Sequence, residues 1–158
     1  MDIGVKVGFW KRAVAIFIDF ILLKSAVNIS LFPLKRNLDL GQLRLIDIFT
    51  GANPHQGREL TFYLILYCLI GLILSSIYFT YFHGSIGQTP GKGFLKMKVI
   101  QVSGDPINYK IAFIRWLGYF VSEIAMCLGF FWVVFDKNKQ GWHDKIAGTY
   151  VVKKGRTL

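Results

Sequence analysis

Apolar positions along this chain gather into three long runs separated by polar, glycine-bearing stretches, a spacing that predicts membrane-spanning helices rather than a soluble core. The first run covers about residues 13–32 and is expected to stop at Pro33, with Trp10 placed where an interfacial aromatic belongs. The second covers residues 60–82, carries no charge and has aromatics at both ends. Within it Gly71 and Ser75 form a small-xxx-small pair that would let the first helix approach closely. The third, residues 111–135, is less uniform, because Arg115, Gly118, Ser122 and Glu123 recur at helical spacing and draw a polar stripe along its first half.

Between the runs the periodicity changes. Residues 34–59 read as a polar loop with a short amphipathic helix around residues 40–49. Residues 95–102 begin with alternating apolar and Lys positions, the period of a half-exposed strand; Ser103, Gly104, Asp105 and Pro106 supply a turn, and residues 149–152 read as a second short strand. The expected fold is an all-α membrane protein, with two transmembrane helices, a third helical membrane region and a small cytoplasmic β-sheet, in one domain over residues 1–158.

Charge decides how the third run sits. If it crossed once, seven Lys/Arg would lie on one side and ten on the other. If it returns as a re-entrant or interfacial hairpin, thirteen lie on one side and four on the other, which obeys the positive-inside rule and puts both strands where they can pair. The hairpin is favoured, with a tilted single span as the alternative. The N-terminal run is read as a mature helix rather than a signal peptide, since Asp19 and Lys24 interrupt it.

Composition agrees with a multi-pass protein of the cell membrane: 53% of residues are hydrophobic and 18% charged. The net charge of +10 has no base-reading motif beside it, so anionic lipid head groups, not nucleic acid, are the expected partner. Cys68 and Cys127 lie inside apolar runs and are read as packing residues. His55, His83 and His143 are dispersed and make no metal site. The stretch Gly87-Gln88-Thr89-Pro90-Gly91-Lys92 is one residue short of a phosphate loop, and Gly93 stands where Ser or Thr would hold the metal, so no nucleotide or other cofactor is expected. His143 and Asp144 are adjacent, hence about 100° apart on a helix, with no Ser or Cys nucleophile recognisable. Asp144 is instead expected to cap or anchor the turn that docks the tail strand, and no catalytic site is predicted.

The remaining chemistry lies in charges within the apolar runs. Arg12 and Asp19 are seven residues apart, so on a helix they share a face within about 20° and stand roughly 10 Å apart. An ionised side chain in hydrocarbon costs about 2.5–3.5 kcal/mol on insertion scales, so Asp19 should face protein or a wet cavity. Its two roles are a protonatable ion ligand or a structural counter-charge, with Arg115 as the expected partner and Arg12 expected to snorkel toward the head groups. Glu123 is read either as an ion-pathway carboxylate or as the partner of Lys24 or Arg115. Lys24, near the middle of the first run, must snorkel or find its own partner.

Three motifs in order, Arg12 with Asp19, then Gly87-Gln88-Thr89-Pro90-Gly91-Lys92, then His143-Asp144-Lys145-Ile146-Ala147-Gly148-Thr149, resemble the RDD family of small membrane proteins, named for one Arg and two Asp. The resemblance implies that Arg12 and Asp19 are the first two residues of the name and that Asp144 is the second Asp, with Asp136 as the alternative. It implies transport as a role, cation/proton exchange having been proposed for some members. Lys24 has no counterpart in the family pattern. Two functional readings follow. One is a homo-oligomeric transporter of small cations coupled to protons, using Asp19 and Glu123; the other is an accessory or scaffold protein that binds anionic lipid or a membrane partner subunit.

Overall fold

The computed structural model describes residues 5–37, 54–125 and 128–154. The amphipathic helix expected around residues 40–49, and Cys127, lie outside them. Helix α1 (Phe9–Asn37) and helix α2 (Pro54–Ile86) contain two segments long and apolar enough to cross a membrane. Both outrun the expected spans. Pro33 lies inside α1 and does not end it. It lacks the N–H that would bond the carbonyl of Ile29 and so costs one bond of the ladder, while Lys35 and Arg36 in the last turn favour the helix C-terminus. At the other helix, Pro54 occupies the first position, where a missing N–H costs nothing, and the polar residues 54–59 join the helix rather than the loop.

After α2 come the short helix α3 (Pro90–Phe94), strand β1 (Met97–Gln101), helix α4 (Tyr109–Ile124), helix α5 (Leu128–Phe131) with a 3-10 turn at Trp132–Val134, helix α6 (Trp142–Ile146) and strand β2 (Thr149–Lys153). The chain divides into two compact units, residues 1–20 with 76–158, and residues 21–75. In the second unit, a Cβ built on Gly71 would lie 3.9 Å from Val27 of α1, so the small residue does face the first helix.

In the first unit β1 and β2 pair antiparallel, with Val99 opposite Val151. The alternation read from the sequence explains the pairing: Met97, Val99 and Val151 are fully buried and pack with Val7, Ala15, Ile107 and Ala112, while Lys98 turns outward. The free edge of β2 is covered by residues 5–7, where Val7 N donates to Val151 O and Lys153 N to Val5 O, both 2.9 Å. That pairing had no signal in the periodicity.

The third apolar region is broken. The axes of Tyr109–Ile124 and Leu128–Val134 differ by 111°, which is incompatible with one straight span and is the geometry of a bent or re-entrant element. Its arms pack closely: a Cβ on Gly129 would collide with the Ser122 side chain, and the Tyr119 and Phe130 rings stand 5.8 Å apart.

Candidate functional site

The interior of the first unit holds two charged assemblies, each built from segments far apart in sequence. In the first, Arg12 of α1, Arg115 of α4 and Asp144 of α6 are all buried. Arg12 Nη1 lies 2.5 Å from Asp144 Oδ2, and Arg115 Nη1 lies 2.5 Å from Asp144 Oδ1. The guanidinium groups also donate to the chain around them. Arg12 Nε donates to Val7 O (3.0 Å) and Nη2 to Lys139 O (2.7 Å); Arg115 Nη1 donates to Thr149 Oγ1 (2.5 Å) and Nε to Tyr119 OH (3.3 Å). Gly141 N donates to Asp144 Oδ2 (3.0 Å), so Asp144 also closes the first turn of α6. One carboxylate thereby ties α1, α4, α6 and, through Thr149, the tail strand.

Burial alone would raise the Asp144 pKa, but Arg115 and Arg12 hold it well below the usual carboxylate range. Burial pushes the neighbouring His143 imidazole down to about 3 against the attraction of Asp144, with Arg115 and Arg12 adding to the effect. His143 is therefore neutral near pH 7, and its ring packs on Tyr119 and Phe130. Both shifts act in one direction on stability. The Asp144 contribution is present above the ordinary carboxylate value of 3.8 and is lost below it. His143 binds a proton more readily in the unfolded chain, so stability is full above 6.5 and declines as the pH falls from 6.5 toward about 3. The thermal midpoint in detergent should fall on acidification through that window, and His143→Gln should flatten its upper part; wild-type and variant curves of identical shape would show that His143 does not titrate this way.

The second assembly surrounds Asp19, which is fully buried. Its Oδ1 accepts from Tyr78 OH and from Gly91 N, both 2.8 Å, and its Oδ2 accepts from Thr89 Oγ1 at 2.5 Å. Thr89 also caps α3, its side chain accepting from Lys92 N, and Pro90 takes the first helical position. Gly91 is required by closeness: a Cβ there would collide with Ala15 O and stand 2.8 Å from Asp19 Oδ1. The backbone N–H that a phosphate loop would offer to a ligand is thus given to Asp19. Beside this turn the buried Lys92 places Nζ 3.0 Å from His83 Nε2. His83 Nδ1 lies 2.9 Å from Phe79 O and donates to it, which leaves Nε2 to accept from the lysine. Burial lowers the Lys92 pKa from its ordinary value.

These positions correct the expected partners of Arg12, Asp19 and Glu123. Arg12 does not snorkel, because Asp144 and two carbonyls satisfy it in the interior. Asp19 does not pair with Arg115: the arginine is held by Asp144, and the carboxylate by three neutral donors. Glu123 is exposed and pairs with neither Lys24 nor Arg115, and exposed Lys24 has no ion-pair partner among the described residues. Asp136 binds Lys145 at 2.5 Å, so Asp144 is the acid that meets Arg12. Of the other motif residues, Gly87 (φ 72°) accepts from Val99 N and Gly148 (φ 60°) gives its carbonyl to Val102 N, both turning the chain into or out of the sheet, while Gln88 leads into α3. Tyr78 and His83 were missed; Tyr78 lies inside the uncharged run 60–82 and His83 directly after it, with nothing in their spacing to distinguish them. Among the described residues no three His, Cys, Asp or Glu gather as metal ligands.

Comparison with known proteins places this geometry. The chain is 31% identical over 156 residues to the uncharacterized protein YxaI of Bacillus subtilis (strain 168), covering 93% of this chain and 97% of that one. It is 29% identical over 147 residues to the uncharacterized membrane protein YteJ of the same organism, covering 92% of this chain and 79% of that one. A 70-residue stretch is 36% identical to the proline-rich antigen of Mycobacterium leprae (strain TN), spanning 44% of this chain and 28% of that longer protein. No solved structure matches. The RDD family model matches residues 6–148, a stretch that begins just before Arg12 and ends just beyond Asp144 and so contains the whole buried charge core; this is a membrane protein of the RDD family.

Proposed function

We propose that this chain is a multi-pass accessory or scaffold protein of the cell membrane, which holds lipid or a partner subunit and does not couple ion transport to Asp19. The observation that carries this reading is the occupancy of Asp19. Its two oxygens are taken by Tyr78, Thr89 and Gly91, and the contact with Gly91 is too close to admit even a methyl group. A carboxylate that bound a transported cation would have to shed these donors, each hydrogen bond to a charged group being worth about 1.5–3 kcal/mol. As a clamp between α1 and the turn before α3, the same carboxylate needs no titration.

The proton-coupled transport reading is tested directly by flux in proteoliposomes. No cation-driven proton movement above the lipid background is expected, from the wild type or from Asp19→Asn. Robust pH-dependent exchange that disappears in a folded Asp19→Asn variant would overturn the scaffold reading and restore Asp19 as a coupling site.

The sheet, carrying Lys98 and Lys153, is assigned to the cytoplasmic face together with the N-terminus and Lys92, on the distribution of Lys and Arg. In a background without native cysteines, Lys153→Cys should react with an impermeant maleimide only after the cytoplasmic face is opened. Labelling of intact cells at that position would reverse the assignment.

A further inference from the structure

Besides the two charged assemblies, the first unit contains a cavity of about 360 Å³, within the range of small-ligand sites. Its polar end is bordered by Arg12, Lys92 and Arg115, and its apolar wall by Ile16, Phe17 and Phe20 of α1. Charge is unbalanced there. Asp144 is the carboxylate that both arginines contact, and Lys92 touches His83 but no carboxylate among the described residues. Even with Asp19 added to the count, three buried cations meet two buried carboxylates among the described residues. An uncompensated buried charge is costly, and a bound anion would offset it.

The shape of the cavity says what kind of anion. Arg12 lies in the first turn of a candidate span, the level of the head groups, while Ile16, Phe17 and Phe20 continue along the same helix into the apolar part of that span. Phe17 and Phe20 are exposed, so the wall is open along its length. A free phosphate would leave that wall unused. A lipid fills both ends.

We propose that this cavity is a binding site for one anionic phospholipid, its phosphate seated among Arg12, Lys92 and Arg115 and an acyl chain lying along Ile16, Phe17 and Phe20. The proposal deepens the scaffold reading by giving it a ligand and a site. Arginine forks and a lysine point charge suit phosphate oxygens. Glu123 also borders the cavity, two turns along α4 from Arg115, where its negative charge opposes an anionic ligand.

The test uses the purified full chain in a neutral detergent, titrated with dioleoyl phosphatidylglycerol, with dioleoyl phosphatidylcholine and with inorganic phosphate, reading the thermal midpoint. Phosphatidylglycerol should raise it in a saturable manner, and the other two should not. Lys92→Met should weaken the apparent affinity about tenfold or more, the loss expected for one charge-assisted hydrogen bond. Glu123→Gln, at an exposed position that does not threaten folding, should strengthen it a few-fold by removing the opposing charge. Equal shifts from both lipids would overturn the site, as would an unchanged affinity in Glu123→Gln if Lys92→Met cannot be purified. A shift from inorganic phosphate alone would replace the lipid by a free anion. Failure on any arm leaves the flux result untouched, so the site and the scaffold reading fall separately.

Discussion

Replacing Asp144 by alanine is expected to cost on the order of 3–5 kcal/mol, enough to reduce the amount of folded protein in the membrane sharply. The magnitude follows from what is left behind: Arg12 and Arg115 would remain buried, facing one another without their shared carboxylate, and removing one partner of a buried pair is costly because the other charge stays uncompensated. Gly141 N would lose its acceptor as well, loosening the first turn of α6. Asp144→Asn keeps the shape but not the charge and should fall between wild type and alanine. The origin of the loss is checked by a cycle. Arg115→Met alone leaves Asp144 paired with Arg12, whereas Arg12→Met with Arg115→Met leaves it bare, so the double variant should lose more than the two singles added. Adding Asp144→Leu to that double variant should recover stability, since an apolar trio of similar volume has no charge to desolvate. Thermal midpoints in detergent and yields from membranes provide the readout; strictly additive losses would mean that the three residues do not act as one assembly.

The parts of this arrangement that are local in sequence were legible, and those that depend on distant partners were not. Apolar run lengths gave both long helices, and the alternation through Lys96, Lys98 and Val99 gave a strand whose pairing with the tail followed from the need to cover an edge. Arg12, close to the N-terminal end of α1, was expected to snorkel toward the head groups, and it does not. At that end of α1 the arginine meets the carboxylate of Asp144, 132 residues further along the chain. Asp19 was marked correctly as a residue that must face protein, but its donors stand 59, 70 and 72 residues away, and no spacing rule reaches them. A buried charge announces that it has partners without naming them. The motif Gly-Gln-Thr-Pro-Gly-Lys is the instructive case: compared with a phosphate loop it looked merely defective, whereas its Thr and second Gly are the two groups of that turn that bind Asp19.

That turn yields the second large effect, a contrast between two glycines two residues apart. Gly91→Ala should destabilise by about 1–3 kcal/mol or more, because the new methyl group meets Ala15 O, a backbone atom that cannot rotate away, and presses on Asp19 Oδ1. To relieve the clash the turn must move off α1, which lengthens the Gly91 N to Asp19 bond and leaves part of a buried carboxylate unsatisfied. Gly93→Ala should do the opposite. Its nearest neighbour to an added Cβ is the Gln88 side-chain amide at 3.8 Å, an ordinary contact, and its place inside α3 favours alanine by roughly 0.5–1 kcal/mol. Asp19→Ala should remove the penalty only in part, since the backbone carbonyl of Ala15 remains in the way of the methyl group. Thermal midpoints of the two alanine variants, measured side by side, decide the matter. If Gly91→Ala and Gly93→Ala behave alike, the turn is not held against α1 by Asp19, and the carboxylate becomes free to do the work of an ion site.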